Sequence, residues 1–242
     1  MPAIKIENLT KRYRDVTAVD NLTLSIAKGE LFSLLGVNGA GKTTTIKILS
    51  CLAKADSGDA YVLGESVNQN PAGVKAKIGV SPQETAVAPA LSVKENLELI
   101  CGIYSFSKEK TEEKINFLAS MLSLDSVMNK RAGRLSGGYA RRLSIAMALI
   151  SEPEVIFLDE PTLGLDVIAR SELWDIISSL KGKVTIILTT HYMEEAEALS
   201  DRIAIMKNGK LLACDTPSAI KLKTETDSIE KAFIKIVKEG EK

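Results

Sequence analysis

One histidine, three cysteines and an aromatic share of 5% are the scarcities that first narrow this 242-residue sequence. A single histidine excludes any multi-histidine metal centre. Cys51, Cys101 and Cys214 lie far apart, are odd in number and form no C-x-x-C pair. A cysteine metal site is therefore no better supported, and the pattern fits a reducing compartment. The longest unbroken apolar run, Ile145 to Ile150, falls far short of the roughly 20 residues that cross a bilayer. Met1-Pro2-Ala3-Ile4-Lys5 lacks the charged and apolar regions of a signal peptide. These absences predict a cytoplasmic protein whose link to any membrane runs through a partner. An excess of charge of one sign is missing too, because 31 Lys and Arg offset 31 Asp and Glu. Broad electrostatic attraction to nucleic acid or anionic lipid is thereby excluded. Few aromatics leave an aliphatic core, as in a parallel sheet flanked by helices.

What is present reads as an α/β core interrupted by a helical insert. Ile4-Lys5-Ile6 and Leu22 to Ile26 alternate with period two, as half-exposed strands do. Glu30 to Leu35 is a continuous apolar run that halts at Gly36, and helical sequence follows from Lys42. Further strands are predicted at Asp59 to Leu63 and Ile78 to Ser81. From about Ser92 the pattern turns helical, with a capping box at Ser92-Val93-Lys94-Glu95. Helices are predicted over Glu112 to Leu122 and from about Gly138 to Ile150, and Pro153 ends the block. Val155 to Leu158 and Val184 to Leu188 read as buried parallel strands around a helix from about Val167 to Leu180. Asn208-Gly209 between two apolar runs predicts a hairpin. Ile229, Phe233, Ile236 and Val237 form an apolar stripe at helical spacing, more in keeping with a docked helix than a partner site.

Gly36-Val37-Asn38-Gly39-Ala40-Gly41-Lys42-Thr43 matches the phosphate-binding loop G-x-x-x-x-G-K-[ST]. Glycines let successive backbone N–H groups converge on a phosphate, and the following helix offers its positive end. Lys42 would neutralise the β- and γ-phosphates, and the Thr43 hydroxyl would ligate magnesium. At average composition roughly one chain in a hundred matches by accident, but here the motif also follows a strand and opens a helix. The chain is therefore expected to bind a nucleoside triphosphate.

The strand Val155 to Leu158 ends in Asp159-Glu160, two acids at the carboxyl edge where doubly wound folds bind ligands. Asp159 can bind magnesium through its water shell, and Glu160 can act on water as a general base. Leu135-Ser136-Gly137-Gly138-Tyr139 makes a second concave set of amides on a helix start.

In this order, together with Gln83 in Val80-Ser81-Pro82-Gln83, Asp166 in Leu163-Gly164-Leu165-Asp166 and His191 after Thr189-Thr190, these motifs resemble the ATP-binding subunit of ATP-binding cassette (ABC) transporters. The likeness runs from about Ile4 to Ile220. It implies a single cassette: a phosphate-loop core with a mainly parallel sheet over 1–83 and 151–220, an N-terminal antiparallel β subdomain, a helical subdomain over 84–150 and a helical tail over 221–242. It implies ATP and Mg²⁺ as ligands, with Gly36, Asn38, Gly39, Ala40, Gly41, Lys42, Thr43 and Thr44 around the phosphates. Thr43, Gln83 and Asp159 would serve the metal, and Glu160, His191, Gln83 and Lys42 the hydrolysis. Tyr13 would stack on adenine and Asp166 would contact nucleotide, although Asp166 also reads as a helix cap. Ser136, Gly137 and Gly138 would touch ATP held by an opposite subunit, so the implied partners are a second ABC subunit, identical or not, and a transmembrane permease.

Thr189-Thr190-His191-Tyr192-Met193-Glu194-Glu195-Ala196-Glu197 and the short tail look like exporters of the drug-resistance or polysaccharide-export type, peripheral on the cytoplasmic face. Tyr139 stands where many cassettes have Gln, but the expected phosphate donors precede it. The alternative is a soluble ABC ATPase acting outside transport. Those resemble tandem cassettes or carry long coiled-coil inserts, which this sequence lacks. A phosphate-loop GTPase needs Asn-Lys-x-Asp, and Asn129-Lys130-Arg131-Ala132 lacks the acid. Glu160 argues against a non-hydrolysing regulator.

Overall fold

The computed structural model describes residues 1–239. Residues 240–242, the end of the expected tail, lie outside them. The chain begins with the hairpin β1 (Ile4–Tyr13) and β2 (Val16–Ile26), in which Tyr13 faces Val16. Register shifts between Ile6 and Lys11, with Asn8 at a left-handed φ of 49°, break the alternation there. The sequence pattern therefore reveals only the regular ends of two longer strands.

Then come β3 (Leu31–Leu35), α1 (Lys42–Leu49), β4 (Ser57–Val62), β5 (Glu65–Ser66), α2 (Pro71–Lys75) and β6 (Ile78–Ser81). Helices α3 (Val93–Ile103), α4 (Lys108–Met121) and α5 (Gly137–Leu149) follow. Ser92 caps α3 in the expected capping box, while α4 starts one turn before its apolar pattern because Ser107 caps it. The alternation β7 (Val155–Asp159), α6 (Val167–Leu180), β8 (Thr185–Thr190) and α7 (Met193–Leu199) then leads to β9 (Arg202–Lys207), β10 (Lys210–Asp215), α8 (Pro217–Thr224) and α9 (Ile229–Glu239). The short helices α2 and α8 lacked an apolar stripe to reveal them, yet each starts at a proline after a capping Asn70 or Thr216.

Among the described residues one antiparallel sheet has the order β2-β1-β4-β5, and a second has the order β10-β9-β3-β8-β7-β6. In the second, β3 pairs in parallel with β8 and β9, and β7 with β8 and β6, while β10 runs antiparallel to β9. Its central strands are buried on both faces. Ile156, Leu158, Ile186 and Leu188 meet the helices α3 to α6. Val155, Phe157 and Ile187 meet α1 and the antiparallel sheet on the other side. Double burial explains why these strands read as unbroken apolar runs. The tail stripe docks: Ile229, Ala232 and Phe233 of α9 bury against Leu35, Ile203 and Ile205. No helix among the described residues is long and apolar enough to cross a membrane.

Candidate active site

Strand β3 ends at Leu35 and the chain turns through the glycine-rich loop into α1. Gly41 takes φ 104°, and a Cβ there would lie 2.3 Å from the Ala18 carbonyl oxygen, so no other residue fits without moving β2. The loop rests on the Asn208-Gly209 hairpin: Gly209 N–H donates to Ala40 O at 3.1 Å, and Asp20 N–H to Gly209 O at 2.9 Å. Above it lies a cleft of about 490 Å³, lined by Val16, Ala18, Asn38 to Thr44, Gln83, Glu160, Leu163 and His191. The start of α1 borders this cleft, where a helix leaves its first amides without intrahelical partners and offers its positive end.

The buried Lys42 ammonium donates to Gly36 O at 2.7 Å and pairs with Glu160 Oε1 at 3.2 Å. The other Glu160 oxygen lies 2.5 Å from His191 Nδ1. Lysine, carboxylate and imidazole thus meet at one wall of the cleft, although they come from a loop and two different strand ends. Glu160 holds a left-handed φ of 51°, which costs a non-glycine residue roughly 1 kcal/mol. Thr189 holds it there, because Glu160 N–H donates to the Thr189 carbonyl at 3.1 Å and to its hydroxyl at 3.0 Å. Asp159 accepts from Thr43 Oγ1 at 3.1 Å and from Thr189 Oγ1 at 2.5 Å. Thr189 therefore supports both acids. Its only sign in the sequence is a hydroxyl residue closing an apolar strand.

Gln83 reaches the cleft from the loop after β6, and that loop is tied to α5. Buried Arg141 donates to Pro82 O and Gln83 O, each at 2.7 Å, and Ser81 and Ser144 hydroxyls meet at 2.9 Å. Burial pulls the Arg141 pKa below the ordinary guanidinium value, and the neighbouring Asp159 carboxylate pushes back. Arg141→Ala is expected to cost about 2 kcal/mol of unfolding free energy by removing two charge-assisted hydrogen bonds. Urea denaturation checks this, and a cost under about 0.5 kcal/mol, the level of an ordinary surface change, contradicts it.

Of the sequence-predicted residues, Tyr13, Ser136, Gly137, Gly138 and Asp166 stand outside the cleft lining. Ser136, Gly137 and Gly138 begin α5 outside the cleft lining, with Gly138 packed on Ala169 of α6. Ser136 and Gly137 are exposed, and the Ser136 side chain makes no capping bond. Tyr13 is exposed at the end of β1 under the Lys11 ammonium, and Val16, its hairpin partner, is the residue that lines the cleft. Asp166 caps α6, accepting from Ala169 N–H at 2.9 Å. Beside the site, the Tyr192 ring is tilted against His191, ring centroids 4.1 Å apart, and meets the Arg170 guanidinium at 4.5 Å.

A phosphate loop at the end of a parallel strand, with two buried acids beside it, defines a phosphate-loop ATPase. The architecture and the comparisons narrow the class further. The ABC transporter family profile matches residues 19–163, and the chain belongs to that family. It is 38% identical over 229 residues to the daunorubicin resistance ATP-binding protein DrrA2 of Streptomyces coeruleorubidus, covering 94% of this chain and 71% of the relative. It is 40% identical over 220 residues to the Nod factor export ATP-binding protein I of Paraburkholderia xenovorans, covering 90% and 72%. The fold superposes on the ATP-binding subunit of an ABC transporter with a TM-score of 0.86 at 26% identity, covering 97% of this chain and 99% of that one. It superposes on the cassette MJ0796, solved as a post-hydrolysis dimer with ADP and Pi, with a TM-score of 0.80 at 28% identity, covering 88% and 98%. The chain is thus an ATP-binding, ATP-hydrolysing cassette, with the α/β fold that its motifs led one to expect.

Proposed function

We propose that this chain powers an exporter, closing head to tail with a second cassette around two ATP and driving a separate membrane-spanning permease. One observation carries the head-to-tail reading. Lys42, Glu160 and His191 converge on a cleft that the exposed Ser136 and Gly137 do not line. A second subunit, identical or not, supplies the missing wall with its own signature segment. The dimeric cassette and the export-type relatives support the same reading.

In this mechanism the amides from Gly36 to Thr44 and the Lys42 ammonium hold the phosphates. Glu160, held between Lys42 and His191, takes the proton of the attacking water, and His191 contacts the γ-phosphate. Thr43, Asp159 and Gln83 offer hydroxyl, carboxylate and amide oxygens, a hard oxygen-only set that suits Mg²⁺. Bound with ATP, that ion neutralises phosphate charge. Tyr13 stacks on adenine, and Asp166 contacts nucleotide while keeping its helix cap.

Residues 1–83 and 151–220 form the nucleotide-binding core, 221–242 make up the tail, whose helix α9 packs on that core, and 84–150 relays closure to the permease. A groove of about 270 Å³ between β6, α3 and α5, lined by Ile100, Ile103, Tyr104 and Met147, supports that assignment. Ile103 and Tyr104, 69% and 44% exposed at its rim, carry its apolar lining out to the surface. The subunit would then sit on the cytoplasmic face through its partner. Tagged chain purified from its native membranes is expected to carry a permease with it. Ile103→Glu should lower that recovery at least about tenfold, the effect of about 1.4 kcal/mol at a buried contact, and leave the isolated ATPase intact. Recovery without any membrane-spanning partner would support a soluble ATPase instead.

A further inference from the structure

We propose that Glu195 is a positioning residue of the hydrolytic site, clamping the loop after Glu160 to the helix after His191. The inference rests on the reading of Glu160 as the base. Glu195 lies in the first turn of α7, four residues past His191, and has no exposed surface. Its Oε1 accepts from the Thr162 hydroxyl at 2.8 Å and from the Trp174 indole N–H at 3.0 Å. Thr162 stands two residues past Glu160, and Trp174 is on α6. One side chain therefore joins the loop after Glu160, the middle of α6 and the first turn of α7, which follows His191.

The surroundings favour the uncharged form. Oε2 is buried and has no hydrogen-bond partner, which an ionised carboxylate tolerates poorly. Burial pushes the Glu195 carboxyl above the ordinary range, the hydroxyls and indole oppose this, and the Glu160 charge raises it further. The other neighbours of α7, strand β3 and helix α9, meet it through an apolar cluster of Leu35, Ala196, Ala232 and Phe233. A neutral acid keeps both hydrogen bonds without adding a second negative charge beside the base. Displacing a base by about 1 Å can cost 100-fold in rate, so a clamp at this point is felt in catalysis rather than in binding.

The test uses the full chain with ATP and Mg²⁺, measuring kcat, KM, ATP affinity and Tm for Glu195→Ala, Glu195→Gln and Thr162→Val. Glu195→Ala is expected to lower kcat at least tenfold with ATP affinity within threefold of wild type. Glu195→Gln, which keeps the shape and the acceptor without charge, should rescue kcat to within threefold. If Glu195→Ala does not fold, Thr162→Val decides, because it removes one bond of the clamp at constant shape and should lower kcat at least fivefold. Trp174 is the sole tryptophan, so its emission reports on the clamp directly. An ATP-dependent emission change in wild type should vanish in Thr162→Val. Normal kcat in Thr162→Val, or a Gln variant as impaired as the Ala variant, overturns the inference. A failure of the base reading would show separately, as normal turnover by Glu160→Gln.

Discussion

Glu160→Gln is expected to bind ATP as the wild type does, to hydrolyse it at least about 100-fold more slowly and to accumulate as an ATP-bound dimer. The rate loss follows from the value of a positioned general base, roughly 100-fold to 10,000-fold. The amide has the size and shape of the carboxylate, so the left-handed backbone at 160 and its two bonds to Thr189 need not change. Lys42 keeps its bond to Gly36 O, so the phosphate-facing ammonium stays in place. Proton acceptance is lost, together with the negative charge that pairs with Lys42. Light scattering at saturating ATP and Mg²⁺, beside a phosphate-release assay, reads both effects. Monomer alone under those conditions contradicts the closed-dimer mechanism, and rapid turnover contradicts the role of Glu160.

Lys42→Ala acts on the other side of the same ion pair and should show the reverse pattern. Removing a charge-assisted contact to phosphate is worth about 1.5–3 kcal/mol, so the dissociation constant for ATP should rise by roughly 10-fold to 150-fold. A second consequence is structural. Lys42 and Glu160 side chains are 5% and 6% exposed, and truncating one leaves a buried carboxylate short of its cation. Breaking such a pair costs about 3 kcal/mol, which a lower Tm would register. Titration calorimetry below that lowered Tm separates lost binding from lost folding. Unchanged ATP affinity in folded protein would overturn the phosphate-loop assignment.

Legibility in the sequence tracked the physical origin of each feature. The phosphate loop was readable because its demands are local: glycines for the turn at φ 104°, a lysine and a hydroxyl at fixed offsets. Buried strands β3, β7 and β8 were readable as apolar runs, since both their faces are covered. The hairpin at Asn208-Gly209 was readable from two residues that both take left-handed φ, 49° and 79°. The long hairpin β1–β2 was only half visible, because its bulges break the alternation. Helices α2, α7 and α8 are short and partly polar; a cap and a proline mark α2 and α8, and α7 has neither.

Spacing along the chain determined which residues could do chemistry: a loop for phosphate, two acids at a strand end and one histidine after another strand. Periodicity determined the alternation of strand and helix, and the balance of 31 positive and 31 negative residues left recognition to local groups. Only the tertiary structure decided which of them meet. It brought Glu160 into contact with both Lys42 and His191, because β3, β7 and β8 lie side by side in parallel and end on one edge. It kept Ser136, Gly137 and Gly138 out of that cleft. It also gave Thr189, Arg141 and Glu195 their partners. Each of those contacts joins residues far apart in the chain, and pairings of that kind are fixed by sheet order and helix packing, which no local pattern encodes.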